Sequence, residues 1–314
     1  MYEAKIIADS IAPGGVRLTT IAVTFPRFVL AEQNTHRVMS RNTASSRAIP
    51  IKTRCDAIEA NPFIPEAFGK NKRGMQSDEL LDPGANEEAT TIWKEALADA
   101  LRHARRMEAI GAHKQYANRL AETFAWVTQI VTATEWDNYM NLRCHKDAQP
   151  EIQIAARLMR EEMRKSVPRE RKVGDWHLPF VDCHGPFPDP LPPLKFSPDG
   201  LTWITQADAE LSDLDKVKVS VARCAAVSYE KHTVRKTSPE EIARHDNSLS
   251  AGHMSPFEHQ AKVADDVEVL ENAMFKWDKR KKVFAPSMIG NLRNPWFQYR
   301  KMIPGEEVFG EEQV

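Results

Sequence analysis

Residues 3–25 read EAKIIADSIAPGGVRLTTIAVTF. Two runs rich in Ile, Val and Thr flank Pro13, Gly14 and Gly15, which is how two antiparallel strands joined by a tight turn are written. The reading is a β-hairpin at the start of the chain. Pro26 then opens a short helix over RFVLAEQNTHRVMS, with proline in its first turn. Residues 40–84 are polar and irregular. From Asn86 to Glu122, Ile92, Ala96, Leu97, Ala100, Leu101 and Ala104 recur at three- and four-residue steps, which predicts helix, and Gly111 divides it in two. Segment 126–142 carries Val127-Thr128-Gln129-Ile130-Val131-Thr132, and its periodicity fits helix and strand alike. Pro150 starts a helix, PEIQIAARLMREEMRKS, with Asp147 as its cap and Ile152, Ala156, Met159 and Met163 on one face.

Seven prolines fall in the 21 positions 178–198. Proline removes a backbone donor and fixes φ, so 178–200 reads as an extended connecting arm. Beyond it the pattern predicts a strand, KVKVSVARCAAVSY, then a helix near 238–251. The segment HMSPFEHQAKVADDV and a tail ending NPWFQYRKMIPGEE follow. Strands and helices are mixed, so the expected class is α/β (α+β), with a mixed sheet and flanking helices in one domain spanning 1–314.

Forty-three basic and 44 acidic residues leave a net charge of −1. That balance argues against a general grip on nucleic acid or anionic lipid, while leaving room for a local basic pocket. No apolar run reaches the ~20 residues of a membrane helix. The first fifteen residues lack the basic and apolar regions of a signal peptide. Cys55, Cys144, Cys183 and Cys224 are scattered and form no CxxC, so neither a disulfide framework nor a zinc ribbon is expected, and a reducing cytoplasm is. There is no GxGxxG, GxxxxGK, HExxH or GxSxG.

Three segments gather chemistry. Thr35-His36-Arg37-Val38-Met39-Ser40-Arg41-Asn42-Thr43-Ala44-Ser45-Ser46-Arg47 packs three arginines, a histidine and several small donors into 13 residues. Guanidinium forks and hydroxyls are the groups that hold a phosphate, although a polar loop has the same composition. His253-Met254-Ser255-Pro256-Phe257-Glu258-His259 places two histidines six apart. That spacing does not put both on one helix face, so no metal site is expected. Asn138 to Ile152 reads NYMNLRCHKDAQPEI, a helix start that also carries Arg143.

Together these segments resemble the flavin-dependent thymidylate synthases. That family's signature is Arg-His-Arg, seven residues, Ser, and Arg two positions later; here it is Thr35-His36-Arg37, then Ser45 and Arg47. The family's His-x-Ser/Thr-Pro-Phe-Glu-His element is intact at 253–259. Its Asn-x-x-x-Leu-Arg run ending in Ala-Gln-x-Glu-Ile is Asn138, Leu142 and Arg143, then 148–152. Its Ala-Arg-x-Ser-like strand looks like VARCAAVSY, ending at Ser228-Tyr229. In the family the serine strand and the His-x-Ser/Thr-Pro-Phe-Glu-His element precede the arginine signature. Here both follow it, so the chain resembles a circular permutant, with the Pro-rich arm linking the old termini. Segments 48–84 and 166–215 lie outside the resemblance. The chain departs from the family at Thr35 (Arg), Thr43 (Glu), Glu32 (Gln), Thr132 (Asn) and Thr134 (Arg).

The resemblance implies an enzyme that methylates dUMP to dTMP. Methylenetetrahydrofolate is the carbon donor, FAD passes the hydride, and NADPH re-reduces the flavin. It implies that Glu32, Thr43, Ser45, Arg47, Arg119 and Arg143 face the nucleotide. It implies that His36, Arg37, Val38, Asn138, Leu142, Ser228, Ser255 and Glu258 contact FAD. Arg143 and His253 are the implied catalytic residues, Arg143 by stabilising charge on the pyrimidine and His253 beside the flavin ring or folate. It also implies a homotetramer with shared sites. The replaced positions leave two alternatives: a deoxypyrimidine-monophosphate hydroxymethylase on the same fold, and a non-catalytic nucleotide- or flavin-binding homologue.

Overall fold

A computed structural model describes residues 1–74, 79–181, 194–196, 203–205, 211–229, 238–273, 277–278, 283–284, 287–304 and 306. The hairpin forms as expected, from β1 (Glu3–Ile11) and β2 (Arg17–Pro26). After a 3-10 turn over Arg27–Val29, helix α1 is only Leu30–Gln33, and strand β3 (Ser40–Thr43) begins where a continuing helix was expected. Helix α2 (Ile51–Ala60) forms inside the stretch read as irregular. It buries Ile51, Cys55 and Ile58 against α3 (Pro83–Ala109), which Asp82 caps through Ala85 N. Gly111, at φ +80°, ends α3 in the left-handed conformation that glycine adopts without strain. The short α4 (Lys114–Ala117) and a 3-10 stretch over Asn118–Phe124 follow.

The ambiguous segment splits into strand β4 (Trp126–Ala133) and helix α5 (Asp137–Arg143). Helix α6 (Pro150–Lys165) forms as predicted, but Asp147 does not cap it: Gln149 holds the N-cap position with no side-chain bond, and proline occupies the first turn. Short strands β5 (Arg169–Glu170) and β6 (Trp176–His177) come next. The Pro-rich arm falls largely outside the described residues. Of its surroundings, β7 (Leu194–Phe196) pairs with β8 (Trp203–Thr205).

A further expectation is overturned. The predicted strand KVKVSVARCAAVSY is helix α7 (Asp213–Ala226), with a 3-10 turn over Val227–Tyr229. Its β-branched residues cost only a few tenths of a kcal/mol each in a helix. Ser212 caps it by accepting from Asp215 N, and Asp213 and Asp215 favour its N-terminal dipole. From Val219 to Ala226 every residue is buried, Ser220 and Arg223 included, and a helix buried on all sides has no amphipathic period to betray it. Helix α8 (Ser238–Ser250) forms as expected and is pinned to α7 by a buried pair, Arg223 Nη2 to Glu241 Oε2 at 2.9 Å. The chain closes with β9 (Ala261–Val263), α9 (Asp266–Ala273), the pair β10 (Trp277–Asp278) and β11 (Val283–Phe284), β12 (Trp296–Gln298) and α10 (Tyr299–Met302).

The main sheet has the order β3-β4-β2-β1-β5. Its pairs are antiparallel except the parallel β1–β5 pair, so it is mixed. Alternate residues of β2 face opposite layers. Ile21, Val23 and Phe25 pack on Tyr139 of α5 and on Ile152, Ala156 and Met159 of α6. Ala22, Ile7 and Ile130 meet Phe180, Cys224 and Val227 on the other face. Burial on both faces suits a central strand. A circularly permuted order implies that the strand after His259 shares a sheet with LTTIAVTFP, but that strand, β9, lies in a second sheet, β12-β9-β6. The two are joined by packing instead: Leu18 of β2 shares a core with Ala261, Val263 and Trp296. Among the described residues no helix is long and apolar enough to cross a membrane.

Candidate functional site

Edge strand β3 is the hub of the site. Ser40 Oγ accepts from Gln298 Nε2 at 3.1 Å. Asn42 Nδ2 donates to Cys224 O at 2.6 Å, and Asn42 Oδ1 accepts from Ser228 Oγ at 3.1 Å. Just past β3, Ser45 N donates to Ser228 O at 2.9 Å. Thr43 Oγ1 accepts from Gln129 Nε2 at 2.7 Å. An edge strand presents unpaired polar groups. Here side chains and turns far away in sequence supply part of the partners, and this brings the 228 and 253–259 segments onto 35–47.

The N-terminal side of the hub is a turn clasped by Arg143. Its Nε donates to His36 Nε2 at 2.9 Å, and its Nη2 donates to Glu32 O at 3.1 Å and Thr35 Oγ1 at 3.0 Å. Arginine only donates, so His36 Nε2 carries no proton and the ring hydrogen sits on Nδ1. Burial, then the charges of Arg143 and Arg41, pull the His36 pKa below its ordinary value. Nη1 of Arg143 has no partner among the described residues. Thr35, where the family signature has arginine, is here an acceptor for Arg143. Arg41 turns back onto Asn34 O and His36 O.

Arg37 and Arg47 are exposed, and their guanidinia meet no partner among the described residues. Arg47 follows a turn held from below, where Asn118 Nδ2 donates to Ser46 O and Ile49 O. Arg119 is exposed next to that clamp and pairs with Glu122 at 3.3 Å; no described bond joins it to Ser45 or Arg47. Val38 and Leu142 are half-exposed apolar side chains on the rim, and Asn138 is exposed on α5. The Glu32 side chain makes no described hydrogen bond. Cys144 is pushed up by burial, despite Arg157, Arg160 and Arg164 nearby, which makes it a poor nucleophile.

The 253–259 element is a 3-10 turn over Ser255–Glu258 leading into β9. Phe257 is its buried anchor, stacked on Tyr299 with centroids 6.1 Å apart. His259 is fully buried and bonds Thr132 Oγ1 through Nδ1 at 2.8 Å. From there a buried polar chain continues through Thr20 and His177 to Ser10. Burial lowers the His259 pKa to about 3. Thr132, at a family flavin-contact position, is spent inside this chain. His253 is exposed at the mouth of a cavity of about 640 Å³ between the end of α7 and α8. Ala225, Ala226 and Ala243 leave it room, and Arg244 and Asn247 line it.

The motifs do not include the C-terminal segment, although its Arg293 and Arg300 are cations able to stand in for the arginine absent at Thr35. Strand β12 pairs with β9, and Gln298 Nε2 ties Ser40 to Glu258 O. Arg300 Nη1 reaches Glu258 Oε1 at 2.5 Å. Gly290 makes this possible: a Cβ there would lie 2.1 Å from Gln298 Oε1. The run NPWFQYR, apolar and aromatic with one Gln and one Arg, was the available signal.

Tyr229, Glu240 and Ser248 complete the lining, so the cavity offers small side chains, hydroxyls, one carboxylate and one arginine to a ligand.

A search of the curated proteins finds no match. Among solved structures the chain is similar to the UMP/dUMP methylase PolB from Streptomyces cacaoi. The form bound with 5-Br UMP has a TM-score of 0.45 and 15% identity over 52% of this chain and 89% of that one. The form bound with 5-Br dUMP has a TM-score of 0.42 and 13% identity over 52% and 91%. The sequence profile of the thymidylate synthase complementing proteins matches residues 17–169. That range runs through 48–84 and holds both the arginine signature and the 138–152 run, while Ser228 and 253–259 lie beyond it. The match spans just under half of this chain, and over those residues the chain is similar to the thymidylate synthase complementing proteins.

Proposed function

We propose that this chain is a flavin-dependent thymidylate synthase, methylating dUMP with methylenetetrahydrofolate and FAD, with NADPH as reductant. The observation that carries the reading is the meeting of 35–47, 143, 228 and 253–258 around β3, although they span most of the sequence. The same meeting supports a circularly permuted order within one catalytic domain. The similar structures are of proteins bound to 5-bromo uridine monophosphates, and a deoxypyrimidine monophosphate suits the arginines here.

FAD, when bound, supplies the hydride chemistry. His36, Arg37, Val38, Asn138, Leu142, Ser228, Ser255 and Glu258 hold it, with His253 at its ring. Arg47 and Ser45 take the nucleotide phosphate, and Arg119 adds positive charge from the neighbouring turn. Glu32 and Thr43 border the base. Arg143, oriented by neutral His36, directs Nη1 at a pyrimidine carbonyl and stabilises negative charge developing on the ring. Half-exposed Val38, Leu142 and Tyr229 on the rim suit coverage by a second copy, in line with a tetramer that shares its sites. The three described cysteines are free, which suits a reducing cytoplasm.

The test is the visible spectrum of the purified protein, followed by single-turnover oxidation of its reduced flavin with dUMP and methylenetetrahydrofolate. The expected product is dTMP by mass. A hydroxymethyl nucleotide would assign the other one-carbon reaction, and no flavin or no product would end the proposal.

A further inference from the structure

The C-terminal segment carries an arginine whose surroundings do not read as a simple surface ion pair. Arg300 Nη1 donates to Glu258 Oε1 at 2.5 Å and Nε donates to Glu306 Oε2 at 2.7 Å. The second Glu306 oxygen accepts from Lys301 Nζ. Glu306 is almost wholly buried, its side chain 2% exposed, whereas Arg300 is 30% exposed. Arg41, half-buried, acts electrostatically on Glu258 from the other side. Three cations therefore surround two carboxylates, and the excess charge is positive. Arg300 Nη2, the donor between the two already engaged, has no partner among the described residues.

This guanidinium is also placed with unusual firmness. The residues before it are fixed by β12 pairing with β9, by Gln298 bonding both Ser40 and the Glu258 backbone, and by Tyr299 stacking on Phe257. Side-chain freedom is the usual cost of an arginine–anion contact, and here much of it is lost beforehand. A guanidinium with one free donor, next to a carboxylate able to accept from hydroxyls, matches a phosphate ester carried on a hydroxylated chain.

We propose that Arg300 binds a phosphate group of the ligand taken up at this site, that Glu258 receives a neighbouring hydroxyl, and that Glu306 is the internal carboxylate that holds Arg300 until the phosphate displaces it. The identity of the ligand rests on the flavin–nucleotide reading above; the anion site itself does not. The phosphate has two sources, the flavin nucleotide and the deoxyuridylate. Glu306 then competes with the ligand, so its removal tightens binding while removal of Arg300 weakens it.

The experiment is a set of equilibrium titrations on the full chain and on Arg300→Gln, Arg300→Lys and Glu306→Gln. FAD, FMN and riboflavin form one arm, dUMP and deoxyuridine the second, and inorganic pyrophosphate the third. Arg300→Gln should weaken the phosphorylated ligand of one arm by at least about tenfold, the scale of a lost charge-assisted bond, and leave its phosphate-free partner unchanged. The arm that responds identifies the source of the phosphate. Arg300→Lys should restore part of the loss, and Glu306→Gln should tighten the same ligand and pyrophosphate. Pyrophosphate binding that depends on Arg300, with no uptake of flavin or dUMP, would keep the anion site and reject the proposed function. Unchanged phosphate affinities in Arg300→Gln overturn the inference. So does absence of pyrophosphate, flavin and dUMP binding in the wild type. If Arg300→Gln fails to fold, Glu306→Gln decides alone: a lowered melting temperature without tighter anion binding makes the cluster a mere staple for the chain end.

Discussion

Arg143 Nε lies 2.9 Å from His36 Nε2, and two more of its donors are taken by Glu32 O and Thr35 Oγ1. An arginine held at three points is a preorganised donor, because its remaining N–H groups need no reorientation during reaction. Arg143→Lys keeps the charge but cannot reproduce the fork. Single-turnover flavin oxidation should slow by about 10²-fold, with a smaller loss in dUMP affinity. A lysine variant as fast as wild type would remove Arg143 from the mechanism.

Arg47 makes the opposite case, since its guanidinium meets no partner among the described residues. Arg47→Ala should therefore leave the melting temperature unchanged. It should weaken dUMP binding by about 1.5–3 kcal/mol, the range for a hydrogen bond to a charged group. Flavin affinity should stay the same. Calorimetric titration with dUMP checks this, and an unaltered dissociation constant would contradict the role.

Three histidines make stability depend on pH in one direction. Burial lowers the pKa of His36 and His245, and that of His259 to about 3. The unfolded chain binds protons to these rings near pH 6.5, before the folded one does. Their contribution is thus complete above about pH 6.5 and is lost as pH falls through the lowered folded values. Denaturant midpoints measured from pH 7.5 to 4 should decline, and less steeply in His259→Asn, which lacks the titrating ring. Equal slopes for the two proteins would dismiss His259 as a contributor.

Between α7 and α8, Arg223 and Glu241 are buried together, and Arg223 Nη1 also donates to Phe180 O at 2.9 Å. Removing one partner strands a charge in the core. Arg223→Met should cost about 3–5 kcal/mol, and the double variant with Glu241→Leu should recover much of it. Urea melts of the four proteins measure the coupling. A double variant no better than Arg223→Met would show that the Phe180 contact, rather than the ion pair, dominates.

The sequence by itself determined the elements whose pattern is local. The β1–β2 hairpin is written in branched residues around Pro-Gly-Gly. The turn at Gly111 and the start of α6 at Pro150 are written in backbone preferences. The site residues were legible as spaced motifs, because a phosphate or a ring needs fixed residue types wherever the chain runs. Tertiary structure decided the rest. KVKVSVARCAAVSY became helix α7 because its capping serine and its burial on all sides outweigh the weak strand preference of its valines. Segment 126–142 was divided when β4 found β2 and β3 as partners, a choice that no window of one strand contains. Strand β9 lies outside the sheet of β2 because β12 and β6, both remote in sequence from it, take its two edges. The same distant segment brought Gln298 and Arg300 to Glu258. Contacts between residues 40 to 258 positions apart leave no local period, so only the folded chain shows how that part of the site is assembled.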